Sequence, residues 1–215
     1  MEKKIYNNVK IGAGSVIEDF VILGKPPRGA KDGELLTEIG EGAVIRSGTV
    51  VYAGNKIGKR FQTGHNVAVR ESNEIGDDVS VGSLSCIEHH IKIGDRVRIH
   101  SQAFIPEYSN LEEGCWIGPS AVLTNAPHPQ CPKVKECLKG PTIGKKAKIG
   151  ANTTILPAII IGERSLVGAG SVVVKDVPPG SVVAGNPAKV IKHIDDLKCR
   201  YKLVKKPYGS SRDKK

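Results

Sequence analysis

Aliphatic residues recur at every sixth position along most of the chain. Of the 25 positions in this series, 24 carry Ile, Val or Leu and one carries Thr63, although apolar residues make up only 39% of the sequence. A period of six matches neither the 3.6-residue α-helix nor a simple hairpin, so the chain predicts a succession of very short strands. The series comprises Ile5, Ile11, Ile17, Leu23, Ile39, Ile45, Val51, Ile57, Thr63, Val69, Ile75, Val81, Ile87, Ile93, Ile99, Ile105, Leu111, Ile117, Leu123, Ile143, Ile149, Ile155, Ile161, Val167 and Val173.

The residues between these positions indicate how the strands connect. Gly often follows the aliphatic residue directly, and a small or aliphatic residue usually comes fourth after it. Glycine accepts the backbone angles or the close approach that a tight corner demands. Three strands and three corners close a triangular coil, and stacked coils pair their backbone groups with the coils above and below. The repeats predict about eight coils, a prism roughly 40 Å long at the usual strand spacing.

The repeat is interrupted twice and ends before the carboxyl terminus. Residues 24–38 and 125–142 are charged and rich in Pro and Gly, and we expect both to form loops outside the prism. The predicted β-helix covers residues 1–186. Apolar residues at near-helical spacing predict a helix over 187–206 that caps the stack, and residues 207–215 predict a basic disordered tail.

Charge and composition narrow the class of protein. The net charge is +10, and residues 198–215 alone contribute eight basic residues and one acidic residue. A terminal charge run of this kind is usually a solvated tail, so we do not expect nucleic-acid binding. No apolar run approaches the length of a membrane span, and the amino terminus has no apolar signal segment, so we expect a cytoplasmic chain. The five cysteines are expected to be reduced.

Three motifs in the carboxyl half resemble a known family of enzymes. They are IGAN at 149–152, VGAGSVVVKDVPP at 167–179 and GNPAKVI at 185–191. Together with the six-residue repeat, which covers about 170 residues, they resemble the hexapeptide-repeat acetyltransferases that act on sugars and nucleotide-linked sugars. The resemblance implies an all-β fold, the left-handed parallel β-helix, because periodicity alone does not fix the handedness of the coil. It also implies a homotrimer whose active sites lie between subunits.

The same resemblance implies acetyl-CoA as the acyl donor. In the family, acetyl-CoA lies along the prism, and backbone N–H groups at the positions of Ala151 and Ala169 contact its pantetheine arm. Gly170 belongs to the same motif. Lysines that match Lys175 and Lys189 lie near the nucleotide phosphates, whose charge a cation offsets. The alternative is that these residues are ordinary corners and solvated lysines.

The motif LTNAPHP at 123–129 resembles the segment in which sugar O-acetyltransferases carry a catalytic His. His128 is therefore expected to act as the general base, since an imidazole can take a proton from a hydroxyl or ammonium near neutral pH. Nucleotide-sugar N-acetyltransferases usually continue this segment with Asp and an aromatic residue, where the chain has Ala126 and His128. The departure leaves open whether a hydroxyl or an amine is acetylated.

Residues 18 apart should stack, which places Glu71, His89, Glu107 and Asn125 in one column about 4.8 Å apart. Carboxylates on both sides would orient His89, so the column is a second candidate for catalysis, with Glu71 and Glu107 also facing substrate. The column could equally be a stabilising stack of charges. Which of His128 and this column is catalytic stays open.

Two further sets of residues are candidates for ligand binding. His65 and Asn66 lie in FQTGHNVAVRE at 61–71, which resembles a substrate-facing coil of sugar-nucleotide acetyltransferases. A loop containing His128, Cys131 and Cys137, with Cys115 half a coil earlier, could offer zinc ligands, but their spacing matches no common zinc pattern, and no metal is expected.

The sequence therefore predicts an acetyl-CoA-dependent acetyltransferase acting on a sugar or nucleotide-linked amino sugar. One rival is a γ-class carbonic anhydrase, which uses the same prism but needs a His-x4-His pair that the six histidines do not form. The other rival is a non-catalytic solenoid that serves as an assembly subunit.

Overall fold

The computed structural model describes residues 2–208. Three parallel β-sheets form the faces of a triangular prism. Sheet A contains β1 Lys4–Ile5, β4 Ile22–Lys25, β7 Val50–Tyr52, β10 Ala68–Val69, β13 Cys86–Ile87, β16 Phe104–Ile105, β19 Val122–Leu123, β22 Thr154–Ile155 and β25 Val172–Val173. Sheet B contains β2 Val9–Ile11, β5 Thr37–Ile39, β8 Lys56–Ile57, β11 Glu74–Ile75, β14 Lys92–Ile93, β17 Asn110–Leu111, β20 Thr142–Ile143 and β23 Ile160–Ile161. Sheet C contains β3 Val16–Ile17, β6 Val44–Ile45, β9 Gln62–Thr63, β12 Ser80–Val81, β15 Arg98–Ile99, β18 Trp116–Ile117, β21 Lys148–Ile149, β24 Leu166–Val167, β26 Ser181–Gly185 and β27 Ala188–His193.

Consecutive strands of the prism belong to different sheets, and each strand pairs with the third strand along the chain. The register of sheet A, in which Ala68 lies opposite Cys86 and Cys86 opposite Phe104, shows that one coil takes 18 residues. The chain passes from sheet A to B, from B to C and from C back to A. We name the three edges the A–B, B–C and C–A corners accordingly. The predicted fold class, a left-handed parallel β-helix, is confirmed.

The aliphatic series forms the core of the prism. From Leu23 to Val173 its members are at most 5% exposed. Thr63, the polar exception, is also buried, and its hydroxyl lies 3.2 Å from the hydroxyl of Thr49 and accepts a hydrogen bond from the backbone N–H of Arg46. The core therefore accepts one hydroxyl pair because both groups find partners inside it.

Each corner has one position that approaches the next coil closely and another that needs a left-handed backbone angle. The residue directly after the aliphatic position approaches the next coil so closely that a side chain does not fit: a Cβ on Gly40 would lie 2.6 Å from the carbonyl carbon of Gly58. The left-handed backbone angle falls two residues later, for example at Gly42, Arg60 and Asp78. Glycine is thus used after the aliphatic residue for close approach rather than for its backbone angles.

Both interruptions leave the prism at the same edge, the A–B corner. The first lies between β4 and β5 and is shorter than expected, because β4 continues to Lys25 and β5 begins at Thr37. The second lies between β19 and β20 and contains one short helix, α1 Val134–Cys137. The two loops therefore stand on one edge and bracket the stretch of corner between them.

The predicted helix over 187–206 is wrong. Residues 188–193 form β27, which pairs antiparallel with β26, and a single 3-10 turn follows at Ile194–Asp196. Val190 and Ile191, which suggested an apolar helix face, are 58% and 56% exposed. The chain reverses through the GNP segment at 185–187, so a hairpin extends sheet C where the sequence predicts a cap.

The remaining carboxyl-terminal residues follow the hairpin without regular structure as far as residue 208. The ring of Tyr208 lies 4.8 Å from the Nζ atom of Lys148 on sheet C. Of the predicted tail over 207–215, residues 209–215 lie outside the described residues. Within residues 2–208, no helix has the length and apolarity that a bilayer crossing requires.

Candidate active site

The A–B corner differs from the other two corners in its side chains. Where the B–C and C–A corners place mostly Gly directly after the aliphatic residue, five successive coils of the A–B corner between the two loops place larger residues. These are Tyr52, Arg70, Glu88, Pro106 and Thr124. The edge between the loops is therefore lined with functional groups that a purely structural corner does not need.

The predicted column forms on this edge. The Nε2 atom of His89 lies 3.4 Å from a carboxylate oxygen of Glu107, and the side-chain amide of Asn125 donates a short hydrogen bond to the other oxygen. The side chains of His89 and Glu107 are 23% and 24% exposed, so both are partly shielded and still reachable. The carboxylate of Glu107 thus links the imidazole of His89 to the base of the second loop.

Two aromatic rings beside His89 were not predicted. The Nδ1 atoms of His89 and His90 are 2.8 Å apart, and the ring of Tyr108 lies 6.1 Å from that of His89 and 5.8 Å from that of His90. His90 and Tyr108 occupy the left-handed position of the A–B corner, and both are exposed. They form one wall beside the imidazole of His89.

Arg70 connects the carboxylates on the other side of the column. Its guanidinium donates two hydrogen bonds of 2.9 Å to Glu71 and one of 3.1 Å to Glu88. Burial alone would raise the pKa of Glu71, but the hydrogen bonds and charge of Arg70 outweigh it and hold that pKa below its ordinary value. Both carboxylate oxygens of Glu71 are therefore committed to Arg70 rather than to His89.

Cys86 lies beneath this network on the outer face of sheet A. Its Sγ atom is 3.6 Å from a carboxylate oxygen of Glu88. Burial raises the pKa of the Cys86 thiol to about 11, and the charge and hydrogen bond of Glu88 add to the effect. The thiol is thus neutral at physiological pH and is a poor nucleophile.

Arg70, Glu88, His90 and Tyr108 are the residues that sequence reasoning missed here. A signal for Arg70 and Glu88 was present, because they stand directly after the aliphatic residue, where the other two corners mostly have Gly. His90 and Tyr108 lie two residues later, where this signal does not apply.

The second loop places His128 in an exposed position. The base of the loop is closed by the N–H of Lys139, which donates to the carbonyl of Asn125 at 2.9 Å. His128 is exposed, and Cys115 is buried in the core. Within residues 2–208, the group of side chains close enough to share a metal ion is Glu88, His89 and Glu107, and it includes neither His128 nor a loop cysteine.

The residues predicted to bind acetyl-CoA lie mainly on the C–A corner. Ala151 and Ala169 occupy equivalent positions one coil apart, and the N–H of Gly170 donates to the carbonyl of Ala151 at 2.8 Å. Neither the N–H of Ala151 nor that of Ala169 donates a hydrogen bond to any group within residues 2–208. By contrast, the equivalent N–H of His65 donates to the hydroxyl of Ser83. Two unused donors in line are suited to an extended ligand with carbonyl acceptors.

The other predicted residues divide between two corners. His65 and Asn66 lie on the C–A corner, in the same column as Ala151, and so apart from Glu71 and Glu107. Lys175 follows β25 on the A–B corner, whereas Lys189 lies in β27 opposite Ala184. We call the C–A corner around Ala151 and Ala169 the donor corner, because it is predicted to bind the acetyl donor, and the stack of His89, Glu107 and Asn125 the histidine column. Within one prism, the width of sheet A separates the two.

Comparison with known proteins agrees with this description. Residues 74–107 and 140–175 match the bacterial transferase hexapeptide (six repeats) family. The galactoside O-acetyltransferase of Escherichia coli is 40% identical over 89 residues, which cover 40% of this chain and 44% of that protein. The 2,3,4,5-tetrahydropyridine-2,6-dicarboxylate N-acetyltransferase of Clostridium perfringens is 46% identical over 80 residues, 37% of this chain and 31% of that protein. The chain thus spans less than half the length of either relative.

Among solved structures, a UDP-N-acetylglucosamine acyltransferase from Bacteroides fragilis superposes with a TM-score of 0.59. The two chains are 15% identical, and the match covers 89% of this chain and 72% of the other, so the likeness concerns the fold. The predicted resemblance is confirmed: the chain carries the hexapeptide repeats of the bacterial transferases and resembles the hexapeptide-repeat acetyltransferases.

Proposed function

We propose that the protein transfers an acetyl group from acetyl-CoA to a hydroxyl or amino group of a sugar or nucleotide-linked sugar. Of the relatives named above, one is an O-acetyltransferase and the other an N-acetyltransferase, which is consistent with either acceptor atom. Acetyl-CoA supplies a thioester, and transfer breaks its C–S bond while the acceptor atom forms a new bond to the carbonyl carbon.

The observation that carries the proposal is the pair of unused N–H groups of Ala151 and Ala169. They lie one coil apart on the C–A corner, about 4.8 Å along the prism axis, where Ala151 is half-buried and Ala169 is exposed. An extended pantetheine arm offers amide carbonyls to such a row. Lys175 and Lys189 lie at the same end of the prism and would favour the phosphates of CoA.

On the other edge, His89 and His90 are the groups best placed to take the acceptor proton. If Nε2–H of His89 points to Glu107, the lone pair of the ring is on Nδ1, which faces Nδ1 of His90. The exposed ring of His90 can pass the acceptor proton to His89, and Glu107 and Asn125 then hold the charged imidazole in position. The geometry favours this column as the base, while the assignment to His128 stays a prediction.

A second copy of the chain would bring the donor corner and the histidine column together. The outer face of sheet A is apolar, whereas that of sheet B alternates acidic and basic residues, such as Glu38, Lys56, Glu74 and Lys92. The outward residues of sheet A are Ile22, Val50, Ala68, Cys86, Phe104, Val122, Thr154 and Val172. We infer a C3 homotrimer that covers this face, with each site built from the C–A corner of one subunit and the A–B corner of its neighbour.

The function is tested by thiol release from acetyl-CoA in the presence of amino sugars, sugars and sugar nucleotides. His89→Gln is expected to lower kcat by about 10²- to 10⁴-fold and to leave the KM for acetyl-CoA unchanged. His193→Gln, in the terminal hairpin, is the matched control and should keep full turnover. Loss of turnover in His128→Gln but not in His89→Gln would assign the base to the loop.

The donor corner has its own test, which removes single hydrogen-bond donors. Pro119 already occupies the corner position equivalent to Ala151 and Ala169, and Gly precedes each of the three, so the corner accepts proline. Ala151→Pro should raise the KM for acetyl-CoA about tenfold, because a charge-free hydrogen bond is lost. Ala151→Ser, which keeps the N–H, is the control.

Absence of thiol release with any acceptor, or hydration of CO2 instead, would contradict the proposed function.

A further inference from the structure

A notch opens where the C–A corner meets sheet C, in the amino-terminal half of the prism. Its volume is about 230 Å³. Two successive coils place Gly64 and Gly82 directly after the aliphatic residue, whereas the coils on either side place Arg46 and His100 at that position. The next coil packs directly against both glycines, since a Cβ on Gly64 or Gly82 would overlap the backbone nitrogen of Ser83 or Ser101. No side chain therefore projects from this corner position over roughly 10 Å of the prism axis.

The lining of the notch is basic. It contains Arg46 and Arg98 and no acidic residue. The guanidinium of Arg46 is held at one end by a 2.5 Å hydrogen bond to the carbonyl of Thr63. Arg98 is exposed and forms no ion pair within residues 2–208, in contrast to Arg60, Arg70 and Arg96, which all do. The notch therefore offers an uncompensated guanidinium to an incoming anion.

Neutral hydrogen-bond donors complete the lining. The ring of His100 lies 4.5 Å from that of Trp116, and burial together with the charge of Arg98 lowers the pKa of His100. A neutral imidazole and the hydroxyls of Ser80 and Ser101 can each donate to an oxyanion. Phosphate, with several acceptor oxygens, suits a forked guanidinium surrounded by such donors.

The size and position of the notch indicate which part of a substrate it holds. Its volume is below the range of about 300–1,000 Å³ that encloses a whole small molecule, so it fits a group rather than a ligand. The chain runs from Gly64 through β10 to Glu71 and from Gly82 through β13 to His89. The notch and the histidine column therefore lie at the same level along the prism axis. Ala151 lies toward the opposite, carboxyl-terminal end of the same corner.

We infer that the notch around Arg98 binds a phosphate group of the acceptor, so that the acceptor is a phosphorylated or nucleotide-linked sugar rather than a free sugar. This inference rests on the proposed function. The acceptor then approaches along the C–A corner from the amino-terminal end, and acetyl-CoA from the carboxyl-terminal end. The phosphates of CoA are the other source of the same chemistry, and they are expected near Lys175 and Lys189.

The direct test is calorimetric titration of the 215-residue chain with inorganic pyrophosphate. Arg98→Gln should weaken binding about tenfold, the lower end for a charged hydrogen bond, because the site is open to solvent. Lys92→Gln, which removes an exposed charge from sheet B six residues earlier, should bind as the wild type does. Equal affinity in Arg98→Gln and wild type, or no binding to either, would overturn the inference.

Steady-state kinetics distinguish the two sources of phosphate. Arg98→Gln should raise the KM for a sugar nucleotide about tenfold and leave the KM for acetyl-CoA unchanged. If the KM for acetyl-CoA rises instead, the notch belongs to the donor and the inference is wrong. Equal kcat/KM for a free sugar and its nucleotide-linked form would also contradict it. If no acceptor is acetylated at all, the proposed function fails while the pyrophosphate titration still decides the site.

Discussion

Replacing one corner glycine should separate the cost of close approach from the cost of an unusual backbone angle. In Gly40→Ala the new Cβ would lie 2.6 Å from the carbonyl carbon and oxygen of Gly58, about 1 Å closer than an ordinary contact. The coils must then move apart by a similar distance. Two hydrogen bonds that join them, from Gly40 N–H to Ile57 at 2.9 Å and from Arg60 N–H to Glu41 at 2.8 Å, would stretch beyond useful length.

The expected loss follows from these contacts. Two hydrogen bonds contribute about 1 kcal/mol each, and steric strain in a packed interior adds about 1–3 kcal/mol. The total of about 3–5 kcal/mol corresponds to a fall in Tm of about 6–20 °C for a chain of this size. The control is Gly42→Ala, two residues away, where φ is +68° and the nearest atom is 3.4 Å from the new Cβ. It should cost about 1 kcal/mol, the ordinary cost of a left-handed alanine.

Thermal unfolding followed by circular dichroism measures both variants against the wild type. Gly40→Ala should have a far lower Tm than Gly42→Ala. If Gly42→Ala is the more damaging of the two, backbone angle rather than coil-to-coil approach explains the glycines after the aliphatic residue, and the description of the corner is wrong.

Three other predictions concern the A–B corner and sheet A. Because the folded-state pKa of Glu71 is lowered, its ion pair with Arg70 should stabilise the protein fully above about pH 4.5 and lose that effect as the pH falls through the lowered pKa. Glu71→Gln should therefore be less stable than the wild type by about 1–3 kcal/mol at pH 7 in urea titrations, and the difference should shrink as the pH falls below 4.5. A thiol pKa of about 11 predicts that the rate at which Cys86 reacts with iodoacetamide still rises about tenfold per pH unit between pH 8 and pH 10, a slope that shielding by a partner subunit does not create. A rate that levels off below pH 10 in a mass-spectrometric time course would refute it. Phe104→Glu, on the apolar outer face of sheet A, should be monomeric in analytical ultracentrifugation and should show no acetyl transfer in the thiol-release assay. An active trimer would show that the subunit interface lies on another face.

The sequence is sufficient for the fold because its periodicity reports burial directly. Each aliphatic residue of the six-residue series fills the same position in the prism, so the pattern predicts the strands, the coil length and the exit points of both loops. It fails after residue 186, where Val190 and Ile191 have helical spacing yet are exposed on a strand. Spacing alone cannot distinguish an apolar helix face from a hairpin when the side chains are not buried.

The site is predictable in part, for the same reason. Counting in steps of 18 brings His89, Glu107 and Asn125 together, because residues in register stack in a parallel coil. The commitment of Glu71 to Arg70 is missed, since the two are adjacent in sequence and lie in different columns. The predictions from the sequence do not assign Ala151 and His89 to particular corners of the prism. The structure shows that they lie at opposite edges of sheet A.

The central claim is that each site combines the histidine column of one subunit with the donor corner of another. It is tested most directly by co-expressing two impaired variants, His89→Ala and the double variant Ala151→Pro/Ala169→Pro. Thiol release from the mixed trimers is measured at acetyl-CoA concentrations below the wild-type KM, where the first variant lacks turnover and the second lacks bound acetyl-CoA. Random assembly of equal amounts should restore about a quarter of the wild-type sites, because one site in four takes an intact half from each partner. Purified mixed trimers that remain as inactive as either parent would contradict the account.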